Sequence, residues 1–328
     1  MVHGWQRCRR IEGWRDVHET QSGKSRVLLA GLALVAIMAA VACGGGTSSK
    51  DKTATAGAKT TGTTPAAGAT KATAAKIDIS GVDELKDGSL DIGSDIAYAP
   101  IEFFDANNKP VGLDIDIANA MAEALGVTAK FNAAGFDTLL PALDSKRYDV
   151  IMSAMTANAE RKKTVDFVEY LNAGSGIIVA KGNPKNIKSA DDLCGKTVSV
   201  QKATVQVDFL SGSTDSPGGL DKKCKDAGKP GVTVREFDDD PSAVQALVAG
   251  QADAEMADFP VAAYSAQQSG AKLEVVPNQI DPAPYGIAVR KTSKPLNDAL
   301  AKAFAAIKAN GKYDEILKKW SLETGKLK

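Results

Sequence analysis

Two segments of the chain repeat one another at a distance. Ala142-Leu143 is followed by Tyr148-Asp149-Val150-Ile151-Met152-Ser153, and Ala246-Leu247 by Ala252-Asp253-Ala254-Glu255-Met256-Ala257. In both, a leucine precedes an aspartate by six residues and that aspartate precedes a methionine by three. Read as helix, turn and strand, the echo predicts one unit used once in each of two similar lobes. A chance likeness between two amphipathic segments is the alternative. The surroundings favour the first: beyond Lys76, β-rich runs such as Leu90-Asp91-Ile92-Gly93-Ser94 alternate with helical patterns such as Leu113 to Leu125. Ile117, Ala120, Met121, Ala124 and Leu125 share one helical face there, and Gly126 stands where a C-terminal cap belongs. Such alternation implies an α/β fold, and a chain of 328 residues with 44% hydrophobic content is long enough for two cores.

Polar groups follow both echoed strands. Thr156 and Arg161 come after the first and Asp258 after the second. Ligands of open α/β sheets collect at the carboxyl ends of strands. Two lobes facing each other would therefore offer a cation from one side and an anion from the other, and an amino-acid zwitterion carries the matching opposite charges.

Forty basic residues balance forty acidic ones, which leaves no net field for nucleic acid or an anionic surface. The two histidines, His3 and His18, both precede a leader-like segment. A chain cut after that segment would hold no histidine, which excludes Ser-His-Asp and Cys-His catalysis and histidine-bound zinc or copper. No cofactor or metal is expected.

The leader reads as residues 1–42. Lys24 and Arg26 precede an apolar run from Val27 to Ala42, and Ala40-Val41-Ala42 leads into Cys43 and three glycines. This is a charged region, an apolar region and small residues at a cut site, and the run is short for a bilayer span. Ala42-Cys43 resembles a bacterial lipobox, with Cys43 becoming the lipid-bearing first residue. Alanine three positions before Cys43, where leucine is usual, departs from the pattern, and an ordinary secretory cut is the alternative. From Gly44 to Lys76, Pro65 aside, no apolar side chain exceeds alanine, so residues 43–76 are expected to form a disordered tether. As a flexible coil it would reach roughly 30 Å.

From Leu90 to Trp320 the chain resembles the polar amino-acid family of solute-binding proteins that serve ABC transporters, in lipoprotein form. The likeness is carried by Ile92-Gly93-Ser94-Asp95-Ile96-Ala97-Tyr98-Ala99-Pro100-Ile101-Glu102-Phe103, Val111-Gly112-Leu113-Asp114-Ile115-Asp116 and Phe136-Asp137-Thr138-Leu139-Leu140-Pro141. It continues through Tyr148-Asp149-Val150-Ile151-Met152-Ser153-Ala154-Met155-Thr156, Glu160-Arg161, Asp258-Phe259-Pro260 and Tyr285-Gly286-Ile287. The resemblance implies a two-lobed periplasmic-binding-protein-like fold of type II, with the ligand in the interlobe cleft. The first lobe would be 77–176 with 285–328, and the second 177–284. It further implies a monomer that closes around a free amino acid and delivers it to a permease and its ATPase. Lipid on Cys43 would hold that monomer at the outer face of the cytoplasmic membrane.

By the same resemblance, Arg161 is the carboxylate clamp; a guanidinium fork makes paired bonds that lysine cannot reproduce. A solvated arginine beside Lys162 and Lys163 is the alternative. Thr156 and the backbone amides near Ala154 and Thr156 would add donors, Thr156 as a helix N-cap being the plainer reading. Asp258 would take the ligand ammonium, and Tyr98 and Phe136 would enclose its aliphatic part. Thr204 fits the second-lobe turn, whereas Ala203 and Val205 stand where glycine and a hydroxyl residue are usual. Asp95 and Gln201 fall at the ligand side chain, which favours lysine, arginine, histidine or glutamine over an acidic ligand. Cys194 and Cys224, the thiols left after Cys43, are expected to pair in an exported protein. The competing function is an enzyme on the same fold resembling exported cyclohexadienyl dehydratases. Glu255 is its nearest acid candidate, although strand alternation would turn it from the cleft.

Overall fold

The computed structural model describes residues 77–214 and 217–327. The leader, Cys43, the tether and both histidines lie outside the described residues. The first half runs β1 (Ser89–Ser94), β2 (Ala97–Tyr98), β3 (Glu102–Phe104), β4 (Pro110–Val111), α1 (Leu113–Leu125), β5 (Thr128–Ala133), α2 (Phe136–Asp144), β6 (Val150–Ile151) and β7 (Val165–Ala180). The second runs β8 (Thr197–Gln201), α3 (Val205–Ser211), α4 (Gly219–Asp226), β9 (Thr233–Phe237), α5 (Asp240–Val248), β10 (Ala254–Asp258), α6 (Phe259–Gln268), β11 (Leu273–Val275), β12 (Ile280–Arg290), α7 (Lys294–Ala309) and α8 (Lys312–Trp320).

One continuous sheet has the order β5-β1-β6-β12-β7-β10-β8-β9, with β11 also on β7, and β2-β3-β4 form a small separate sheet. The long antiparallel pair β7 and β12 carries the chain from one lobe to the other. Val165 pairs with Arg290 at one end and Ser175 with Ile280 at the other. Beyond that, Gly176 to Ile178 pair with β10. The central strands are apolar on both faces because helices cover both, whereas the edge strands β5 and β9 keep exposed residues. Val150 and Met152 join the large core with Leu113, Ile117, Met121 and Leu300, whereas Ile151 turns to Leu139, Leu143 and Tyr148 under α2. Ile177 and Val179 likewise pack on Val198, Val200 and Met256, and Ile178 turns to Leu247, Ala262 and Leu273.

The echoed segments share one local structure, α2 to β6 and α5 to β10. Asp149 Oδ2 accepts the amide of Asp91 at 2.8 Å and Asp253 Oδ2 that of Thr197 at 2.9 Å, so each aspartate pins its turn to the neighbouring parallel strand, β1 or β8. Leu143, Leu247, Met152 and Met256 are all buried. Helix α1 ends on Gly126 in the left-handed region, φ 76°. It begins after Gly112, φ 135°, where an added Cβ would lie 2.2 Å from the Ile101 carbonyl oxygen. The Cys194–Cys224 disulfide joins the approach to β8 to α4.

Candidate functional site

Loops at the carboxyl ends of the parallel strands converge on one cavity. From the first lobe come Asp95 after β1, Tyr98 on β2, Phe136 at the start of α2, Ala154 and Thr156 after β6, and Arg161 in a short 3-10 turn. Gln201 at the end of β8, Thr204 and Asp258 at the end of β10 face them. All nine ligand-site residues read from the sequence therefore line the same space, about 310 Å³ counted out to its mouth. Glu102, Ser153, Val205 and Gln206 complete the lining. Of these, Val205 is noted in the sequence only as a departure from the usual turn, and the other three are not singled out as site residues. Glu102 and Ser153 lie inside the motif stretches, and Gln206 follows the turn at Thr204, so position offered a signal where residue type did not.

Arg161 Nη1 donates to the Thr156 carbonyl at 3.0 Å and Nη2 to the Ala203 carbonyl at 3.1 Å. Its guanidinium lies 5.4 Å from the centre of the Phe136 ring, a cation–π contact that holds the fork in place. Burial draws its pKa down, and the carboxylates of Asp208 and Asp258 oppose this. Asp258 is buried; its Oδ1 accepts Gln206 Nε2 at 2.8 Å, and its backbone amide donates to the Tyr98 hydroxyl at 2.9 Å. Burial pushes its carboxyl up to about 6, against the pull of Tyr285, Gln206, Tyr98 and Arg161. The cleft thus has an anchored cation on one wall and a desolvated acid on the other.

The walls also touch directly. Gln201 Nε2 donates to Asp95 Oδ2 at 2.6 Å, and Lys202 forms an ion pair with Asp137 at 3.0 Å. Burial, together with Asp239 and Asp137, raises the Asp95 carboxyl, and the Gln201 amide works against the rise.

Two expectations need correction. The Ala154 amide, read as a ligand donor, is bonded to Asp114 Oδ2 at 3.0 Å. Thr156 does not cap a helix; it bridges to Tyr285. The Thr204 hydroxyl donates to the Gln201 carbonyl at 2.8 Å, which leaves its oxygen as an acceptor. Ala203 sits at φ 61°, a left-handed conformation that explains why glycine is usual there and costs an alanine roughly 1 kcal/mol. Glu255 does not line the cavity: it is fully buried, and its strongest electrostatic neighbour is Asp240.

The family profile of bacterial extracellular solute-binding proteins, family 3, matches residues 90–323. The chain belongs to this family. It is 32% identical over 240 residues to the arginine-binding protein ArgT of Corynebacterium glutamicum, covering 73% of this chain and 76% of that one. Among solved structures, an ancestral arginine-binding protein bound to arginine is similar at 40% identity, with a TM-score of 0.64, over 71% of this chain and 98% of that one. An ancestral amino-acid-binding protein described as a precursor of cyclohexadienyl dehydratase is similar at 35% identity, with a TM-score of 0.62, over 73% and 99%. The family member described here thus has the two-lobed fold of periplasmic amino-acid-binding proteins.

Proposed function

We propose that this chain captures a free L-amino acid with a cationic or amide side chain and presents it to an ABC transporter permease and its ATPase, without chemical change. In this reading the lobes are 77–176 with 285–328, and 177–284. Cys43 carries the lipid that holds a monomer at the outer face of the cytoplasmic membrane. The observation that carries the binding function is the pair of opposite charges, Arg161 and Asp258, on facing walls of one cavity. The ligand carboxylate meets the guanidinium fork and its ammonium meets Asp258, relieving the desolvation of both. Asp95, buried beside other carboxyls, favours a cation at the side-chain end. The arginine-binding relatives support the same class.

Closure follows from the geometry. The walls meet through Gln201 and Asp95 and through Lys202 and Asp137, so in this reading the lobes part about β7 and β12 to admit the ligand, which selects the closed state by touching both. The test is a thermal-shift screen of the twenty amino acids followed by calorimetry. Arginine, lysine, histidine or glutamine should raise the melting midpoint most; twenty flat responses would sink the reading. Glu255, the acid read from the sequence for a dehydratase, lies outside the cavity, although Asp95, Glu102 and Asp258 line it, so the enzyme reading is tested directly. Incubation with arogenate or prephenate should leave both unchanged. Release of the Cys43→Ser chain from cell membranes would support the anchor, and unchanged retention would remove it.

A further inference from the structure

At the floor of the cavity, which Glu102 also lines, two acids are buried together. Glu102 is 1% exposed and Asp114 fully buried. Each has one oxygen in hydrogen bonds and one without a partner. Glu102 Oε1 accepts the Ser153 hydroxyl at 2.9 Å, and the Ser153 oxygen accepts the Asp95 amide at 2.9 Å. Asp114 Oδ2 accepts the Ala154 amide at 3.0 Å and the Tyr170 hydroxyl at 2.7 Å. Glu102 Oε2 and Asp114 Oδ1 are buried without hydrogen-bond partners. These links cross 40 to 58 residues of sequence. They end on Asp95 and on the Ser153-Ala154 turn, where Ala154 is held at φ 44°, a conformation that persists only when its surroundings enforce it.

We propose that Glu102 and Asp114 share a proton through their two free oxygens, and that the pair positions the Ser153-Ala154 turn, and with it Asp95, Thr156 and Arg161, for amino-acid binding. The inference rests on the amino-acid reading above. An orphaned acceptor in a dry core is left without the hydrogen bonds that water would give it, and a proton between the two oxygens removes that cost. Glu102 is then the neutral donor and Asp114 the acceptor. Electrostatics agrees: burial, then Asp114, with Asp95 and Asp258 further off, drives the Glu102 carboxyl well up. Burial lifts Asp114 to about 7, held back by the Ala154 amide, the Tyr170 hydroxyl and Glu102. The turn tied to this pair is the one from which the Arg161 fork hangs, through the Thr156 carbonyl. Glu102 and Asp114 are thus positioning residues, acting on the ligand through the loops they pin.

Calorimetry on the full chain with L-arginine tests this through paired variants. Glu102→Gln keeps the shape, a donor for Asp114 and an acceptor for Ser153. It should hold affinity to within about threefold, with an unchanged pH profile between about pH 6 and 8, since the group it replaces is already neutral. Glu102→Met keeps the volume and removes the relay. It should weaken binding about 10- to 100-fold, the loss of one or two buried hydrogen bonds, and lower the melting midpoint, since only one partner is removed and Asp114 is left unpaired in the core. Ser153→Ala, a smaller change, should weaken binding about tenfold, which covers failure of Glu102→Met to fold. Wild-type binding in Glu102→Met and Ser153→Ala would overturn the proposal, as would equal losses in Glu102→Gln and Glu102→Met. Failure of the wild-type chain to bind any of the twenty amino acids would instead overturn the function on which it rests.

Discussion

Replacing Asp258 with asparagine separates charge from shape at the ammonium end of the cleft. Burial lifts the carboxyl from 3.8 to about 6, which corresponds to about 3 kcal/mol against the ionised form in the empty protein. Binding of an ammonium requires that ionised form. Affinity of the native chain should therefore be flat above pH 7 and fall about tenfold per pH unit below 6, while the ligand carboxylate stays ionised. Asp258→Asn keeps an acceptor for Gln206 Nε2 but no charge. At pH 7.5 it should bind about 10- to 100-fold more weakly, as expected for loss of a charge-assisted bond, and the fall below pH 6 should vanish. Stability has the opposite sign. Because the folded pKa is raised, the stability from this group is fully present below the unfolded value, near 3.8, and is lost as pH rises through about 6. Without ligand, the melting midpoint of the native chain should drop relative to Asp258→Asn between pH 4 and 7. Asp114 and Asp240, each lifted to about 7, and Asp95 titrate in both proteins, so the difference isolates Asp258. Calorimetric titrations at five pH values give the affinities and scanning calorimetry gives the midpoints. Identical pH profiles for the two proteins would refute the assignment.

Arg161→Lys should lose about 100-fold or more in amino-acid affinity with the fold intact by circular dichroism, because one ammonium cannot hold the Thr156 and Ala203 carbonyls and a carboxylate together. Affinity within about threefold of native would remove the clamp. Cys194→Ser with Cys224→Ser opens a link between residues 30 apart and should cost about 3–4 kcal/mol in chemical denaturation; an unchanged midpoint would show that the link contributes nothing. Gly112→Ala meets both a left-handed φ of 135° and the Ile101 carbonyl at 2.2 Å, and should lower stability by about 2–4 kcal/mol. A fully stable variant would contradict the tight approach of β3 to the start of α1.

Much of this architecture is legible in the chain because it rests on local rules. The apolar stripe from Ile117 to Leu125 and its glycine stop define α1, and the repeated Leu, Asp and Met spacing marks the same turn twice because each aspartate must reach a backbone amide of a parallel neighbour. Charged residues after strand ends were enough to point to Arg161 and Asp258. The hydrogen-bond partners were not legible. Whether the Ala154 amide serves a ligand or Asp114 depends on packing across 40 residues, which no local pattern encodes. Glu102 was read only as part of a motif, since its importance comes from what surrounds it once buried. The engagement of Thr204 with Gln201 is likewise a matter of loop geometry rather than composition.

A crystal structure of the chain with the amino acid that stabilises it most tests the account most directly. The ligand carboxylate should lie within hydrogen-bond distance of the Arg161 guanidinium and its ammonium within hydrogen-bond distance of Asp258, with the side chain directed to Asp95. Density for the ligand in any other cavity, or in this one with its charged ends away from both groups, would contradict it.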